Sequence, residues 1–183
     1  DRSPLLWSRR HGDPDAAVVL VGLGLQHWVP PLQAPATAPD VVAIVERCAA
    51  IGEVPVTLDL SGRCVGVVGA PADVRAMVRS WIVQLAVLRG PADLVIDLRV
   101  DAWHDDWAWT RWLPHLADVD GGTAVHSSVP VPVVVVVEGP QPGPAAIPAG
   151  PGTLIALASA VAALLAQCEV IVEISDGRAV VTD

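Results

Sequence analysis

The chain has 183 residues and is 52% hydrophobic, with a formal net charge of −9. Its isoelectric point is about 4.8 and its mean hydropathy +0.51. This acidity makes the chain a poor stand-alone DNA binder, since such binding draws its affinity from Lys and Arg neutralising phosphates. No apolar run reaches the roughly 18–20 residues of a membrane span: the longest, Leu154 to Leu165, is broken by Ser159 and closed by Gln167.

In chain order, residues 1–15 are polar and Arg-rich, and the chain starts at Asp1 without an initiator Met or signal peptide. It therefore reads as a piece of a longer protein, with any membrane segment outside it. "AVVLVGLG" (17–24) predicts a short buried strand ending in a glycine turn, and "HWVPPLQAPATAP" (27–39) an irregular crossing segment. "DVVAIVERCAAI" (40–51) has helical spacing with Asp40 as its cap. "VPVTLDL" (54–60) and "CVGVV" (64–68) read as two strands joined at Ser61-Gly62.

The next helix is the clearest element. Val74, Met77, Val78, Trp81, Ile82, Leu85 and Leu88 recur at three- and four-residue spacing, one apolar face, before the stop at Arg89-Gly90-Pro91. "ADLVIDLRV" (92–100) is a strand, and "DAWHDDWAWTRWLPHL" (101–116) carries four of the seven tryptophans in a short helix ended by Pro114. "VPVVVVVEG" (131–139) is the β-branched run of a strand buried on both faces. "GTLIALA" is a further strand, "AVAALLAQ" a short helix, and the last residues a hairpin turning at Asp176-Gly177. The alternation gives an α/β protein with a mainly parallel sheet, in which Val65–Val68, Leu94–Leu98 and Val133–Val137 are expected as central neighbours. Cys48, Cys64 and Cys168, without a C-x-x-C pair, read as small buried apolar residues.

A strand, a glycine and a helix is where a nucleotide-binding protein places its phosphate loop, G-x-x-x-x-G-K-[ST]. "GAPADVRA" (69–76) meets that template only at Gly69. Val74 stands on the second glycine, Arg75 on the lysine and Ala76 on the Mg²⁺-holding hydroxyl, while Pro71 removes one N–H donor. Arg75 keeps the charge in a wider planar group that is not equivalent to Lys.

The order of these parts resembles the FtsK/SpoIIIE motor-ATPase superfamily, and within it the degenerate first ATPase-like domain of the EccC/EssC proteins of type VII secretion systems. "LLWSRRHGDPDAAVVLVGLG", "QLAVLRGPADL", "WAWTRWLPHL" and "VPVVVVVEG" carry the likeness, the tryptophan motif most specifically. The chain departs from the pattern at "DAAVV", at Arg89-Gly90 and in the short stretch 117–130. The resemblance implies a RecA-like three-layer fold with a terminal β-hairpin. It divides the chain into residues 1–53, a lead-in segment, strand and helix packed on the core, and residues 54–183, a degenerate ATPase core, the two making one compact domain.

It also places Glu138 at the second ATPase motif, where an Asp would hold Mg²⁺, and Gly139 where the water-activating Glu would stand. Two broken motifs argue for a non-catalytic domain with no catalytic residue and no cofactor of its own. Gly69, Ala70, Asp73, Val74, Arg75, Ala76 and Glu138 are then the remnant nucleotide site, with weak ATP and Mg²⁺ binding as the alternative. Trp109, Trp112 and His115 are the expected partner surface, facing ATPase domains of the same polypeptide and secretion-machinery membrane proteins, in an oligomeric assembly. Trp107 and Trp81 read as core residues. His104, Asp105, Asp106 and His115 lack metal-ligand spacing and are not assigned a metal, and Gly22-x-Gly24 is a lone glycine pair. The implied setting is the cytoplasmic part of a membrane-associated translocation motor, for protein secretion or, alternatively, for DNA.

Overall fold

Continuous β-branched runs pair as parallel strands buried on both faces, while alternating runs leave one face in water. The computed structural model describes residues 6–28, 38–100, 105–117, 131–138, 152–164 and 168–183. The chain divides into two compact units, one comprising Asp1–Val19 with Asp59–Asp183 and the other Leu20–Leu58.

The larger unit is built on a six-stranded sheet. Its strands are β3 (Cys64–Gly69), β4 (Val95–Val100), β5 (Val133–Glu138), β6 (Thr153–Ala158), β7 (Val170–Ser175) and β8 (Arg178–Thr182), in the spatial order β4-β5-β6-β3-β7-β8. The first five are parallel, with Val136 opposite Ile155 and Ile155 opposite Val65, and β8 returns antiparallel to β7. Asp176 and Gly177 turn that hairpin with φ of +50° and +71°, the left-handed conformation a two-residue turn requires. This is a RecA-like α/β fold. The three segments expected as neighbours share the sheet, but β6 separates β5 from β3. The expected three-layer packing rests partly on residues outside the described set.

Helix α2 (Pro71–Leu88) packs on β3 and β6 and buries Val74, Val78, Trp81, Ile82, Leu85 and Ala86. The last turn of a helix leaves carbonyls without intrahelical partners, and here the lead-in segment meets most of them. Trp7 gives its Nε1–H to Ala86 O (3.2 Å) and its backbone N–H to Val87 O, and Arg9 N–H bonds Leu88 O, both at 2.9 Å. Residues 6–19 are thus part of the larger unit.

The smaller unit corrects three expectations. β1 (Val18–His27) runs through Gly22 and Gly24 without turning, and half of its residues are exposed where it pairs with β2 in a two-stranded sheet. β2 (Ala50–Asp59) therefore lies in a different sheet from β3, although Ser61 and Gly62 join them in sequence. α1 (Pro39–Arg47) starts after Ala38 with Pro39 in its first turn, so Asp40 is a first-turn residue and no side chain caps the helix. It stops at Cys48, which is exposed rather than buried.

Trp81 is 0% exposed at the centre of the α2 face. Trp81→Ala should cost roughly 3–5 kcal/mol of unfolding free energy in urea denaturation; a loss below about 1 kcal/mol would mean the face does not carry the core.

Candidate functional site

The candidate site lies at the carboxyl ends of β3, β5 and β6, where α/β sheets carry their ligands. β3 ends at Gly69 and α2 starts at Pro71, so Ala70 alone connects them. Asp73, Val74, Arg75 and Ala76 are consequently residues of the first helical turns and not of a loop. Asp73 and Val74 both return their N–H groups to Ala70 O at 3.0 Å. Val74 is buried in the core, and Ala76 is exposed without a hydroxyl. A phosphate cradle needs a run of free N–H groups wrapped in a loop, and this connection is too short to form one.

Gly69 has a different reason to be glycine. Its φ is +153°, and a Cβ there would come within 2.5 Å of the Ile174 carbonyl oxygen on β7. The residue lets two neighbouring backbones approach, at a conformation open to glycine almost alone.

Arg75 and Glu138, 63 positions apart, meet across the site. Arg75 Nε–H donates to Glu138 Oε1 at 2.6 Å, and Trp107 Nε1–H donates to Glu138 Oε2 at 2.7 Å. Arg75 Nη1 also reaches Asp106 Oδ2 at 3.3 Å, and Arg79 Nη1 reaches Asp106 Oδ1 at 2.7 Å. The bond to Glu138, ahead of the nearby Asp106 charge, raises the Arg75 pKa further above its already high value. Both side chains are about one-fifth exposed, at 23% for Arg75 and 20% for Glu138. A cavity of about 310 Å³ lies beside the pair, lined by Pro71, Val74, Leu157 and Ser159 as well. That is the low end of the range for small-molecule pockets.

The tryptophan motif splits between core and surface. Trp107 is 0% exposed, with the Thr110 hydroxyl donating to its carbonyl at 2.6 Å. Trp109 is half-buried, giving its Nε1–H to Asp106 O at 2.8 Å, and beside it Ala76, Ser80, Val83 and Gln84 line a trough along α2. Trp112 is 83% exposed. His115, expected on the partner surface, is instead 3% exposed. Its Nε2–H donates to Arg89 O at 2.8 Å, so it closes the end of α2 and cannot meet a partner from inside the core. Arg89, only 2% exposed, gives its Nη2–H to Asp93 O.

Of the set weighed for metal binding, His104 and the Asp105 side chain lie outside the described residues, and Asp106 is taken by Arg75 and Arg79. Among the described residues no three potential ligands cluster. Sequence reasoning missed Arg79 and the Trp107–Glu138 bond. Arg75 and Arg79 are one helical turn apart, a readable signal, but their acidic partners come from distant segments.

No protein-family model matches the chain. It is 32% identical over 124 residues, 61% of its length, to the ESX-4 secretion system protein EccC4 of Mycobacterium tuberculosis. The ESX-3 secretion system protein EccC3 of the same species is 32% identical over 130 residues, or 63% of the chain. The ESX secretion system protein EccC of Thermomonospora curvata is 34% identical over 127 residues, or 62%. Over those residues the chain is similar to EccC proteins. It spans about a tenth of the length of the curated relatives it matches. Among the described residues no helix is long and apolar enough to cross a membrane.

Two predictions follow from the geometry of this EccC-like segment. Glu138→Ala should cost about 1.5–3 kcal/mol in chemical denaturation, since it strands the Arg75 and Trp107 donors; an unchanged midpoint would show that the pair does not hold α2 to β5. Burial lowers the His115 pKa, with the Arg89 charge acting in the same direction and the hydrogen bond to Arg89 O opposing it. Unfolding therefore takes up a proton below the ordinary value of about 6.5. The stabilisation is complete above that pH and is lost as the pH falls from it towards the folded pKa. Urea midpoints measured between pH 7.5 and 5.5 should decline less in His115→Gln than in the native chain; equal declines would remove His115 as the cause.

Proposed function

We propose that this chain is a non-catalytic, ATPase-like domain of an FtsK/SpoIIIE-type translocation motor, serving type VII protein secretion as a structural or regulatory part. The observation that carries the reading is the closed remnant site. One residue joins β3 to α2, and the cation at the lysine position is spent on the carboxylate of the second motif. The absent hydroxyl at Ala76 and the Gly139 at the base position support the same conclusion. The secretion setting is supported by the EccC relatives, which are named for ESX secretion systems.

In this proposal, catalysis and membrane anchoring belong to other parts of the full-length protein, and the domain works on the cytoplasmic side. Its partners are ATPase domains of the same polypeptide and membrane proteins of the secretion machinery. The exposed Trp112 indole and the trough beside Trp109 are the surface offered to them, since large aromatics are the usual anchors of protein interfaces. The residues of the remnant site do not supply what ATP and Mg²⁺ require, so no cofactor is assigned.

Calorimetric titration with ATP, with and without Mg²⁺, tests the reading, with Arg75→Ala as control. The expected result is no saturable binding and no turnover in either protein. Micromolar, Mg²⁺-dependent binding that disappears in Arg75→Ala would overturn it.

A further inference from the structure

We propose that Cys64 and Cys168 are a modification site, a thiol pair that a small-molecule disulfide converts into an intramolecular disulfide joining the starts of β3 and β7. The two Sγ atoms lie 3.1 Å apart although the residues are 104 positions apart in sequence. Their backbones are held by neighbouring parallel strands: Val65 pairs with Val170, and Glu169 N–H donates to Cys64 O at 2.9 Å. Two cysteines can form a bond when their backbones are already held close, and this strand pairing holds them so.

The surroundings suit the oxidised form. Cys64 is buried with Val135, Val137 and Leu154, and Cys168 packs against the same cluster with partial exposure. A disulfide is uncharged and suits an apolar place, whereas a thiolate is costly there. Burial, assisted by the hydrogen bond to Cys168, pushes the Cys64 thiol up to about 12.

The order of events follows from exposure. The Cys168 thiolate attacks the donor disulfide, whose S–S bond breaks, releasing one donor thiol after proton transfer. The Cys64 sulfur, losing its proton, then attacks the Cys168 sulfur of the mixed disulfide and expels the second donor thiol. Two protein thiols and one donor disulfide become one protein disulfide and two donor thiols. The bond forms at the amino ends of β3 and β7, the opposite end of β3 from Gly69, so it tightens the sheet without touching Arg75 or Glu138.

The test uses Cys48→Ser, which removes the exposed third thiol, and oxidised glutathione as donor. The expected outcome is loss of both remaining thiols under denaturing titration, a mass decrease of two hydrogens, and a linked peptide pair containing Cys64 and Cys168. Tm should rise by roughly 5–15 °C and return on reduction. Adding Cys168→Ser or Cys64→Ser should abolish the mass decrease and the rise. Two surviving thiols, two separate glutathione adducts, or a mass decrease that persists in either added variant would overturn the proposal.

Discussion

The passage from β3 to α2 through the single residue Ala70 is the constraint on which the rest of the site depends. With no slack in the connection, the helix must start at the end of the sheet. The first turn then points Val74 into the core and Arg75 across the carboxyl ends of the strands. Gly69 allows this by running against the Ile174 carbonyl, where any side chain would collide. In this position the glycine that a phosphate loop would use for its turn serves strand packing instead.

The second consequence is electrostatic. Arg75, Arg79, Asp106 and Glu138 come together in a partly buried network to which Trp107 adds an uncharged donor. Each charge there meets an opposite one at hydrogen-bond distance, which is the condition for keeping ions out of bulk water. An anionic ligand would have to displace Glu138 from Arg75 and leave that carboxylate unpaired beside it. The network also ties α2, α3 (Asp105–Ala108) and β5 together.

The other end of α2 is held just as closely. Trp7 and Arg9 pair with the final carbonyls of the helix, and His115 takes the carbonyl of Arg89. Arg10 and the His11 N–H both bind Asp93, where the His11 bond, ahead of the Arg10 charge, lowers the carboxyl pKa. The lead-in segment and the tryptophan motif, distant in sequence, thereby meet at one helix end. Arg9, Arg10 and His115 of the family likeness thus have structural work in this chain.

Much of the fold was legible in the sequence. The α2 face from Val74 to Leu85, the Val133–Val137 strand and the Asp176-Gly177 hairpin are local patterns, and local patterns are set by side-chain periodicity and turn chemistry. The mismatch of Val74, Arg75 and Ala76 to the phosphate-loop template could also be read directly. Strand neighbours could not, because nothing in a single strand states that β6 lies between β5 and β3, or that β2 pairs with β1 rather than β3. Nor could the partners of Arg75, the burial of His115 or the meeting of Cys64 with Cys168. These are contacts between residues tens of positions apart, and only chain folding brings them within hydrogen-bond distance. The sequence by itself determined which elements form and that Val74, Arg75 and Ala76 stand where the phosphate-loop template has Gly, Lys and a hydroxyl. The tertiary structure decided that Arg75 meets Glu138 and Asp106, because pairing of distant charges is a property of the packed sheet and helix and not of either segment.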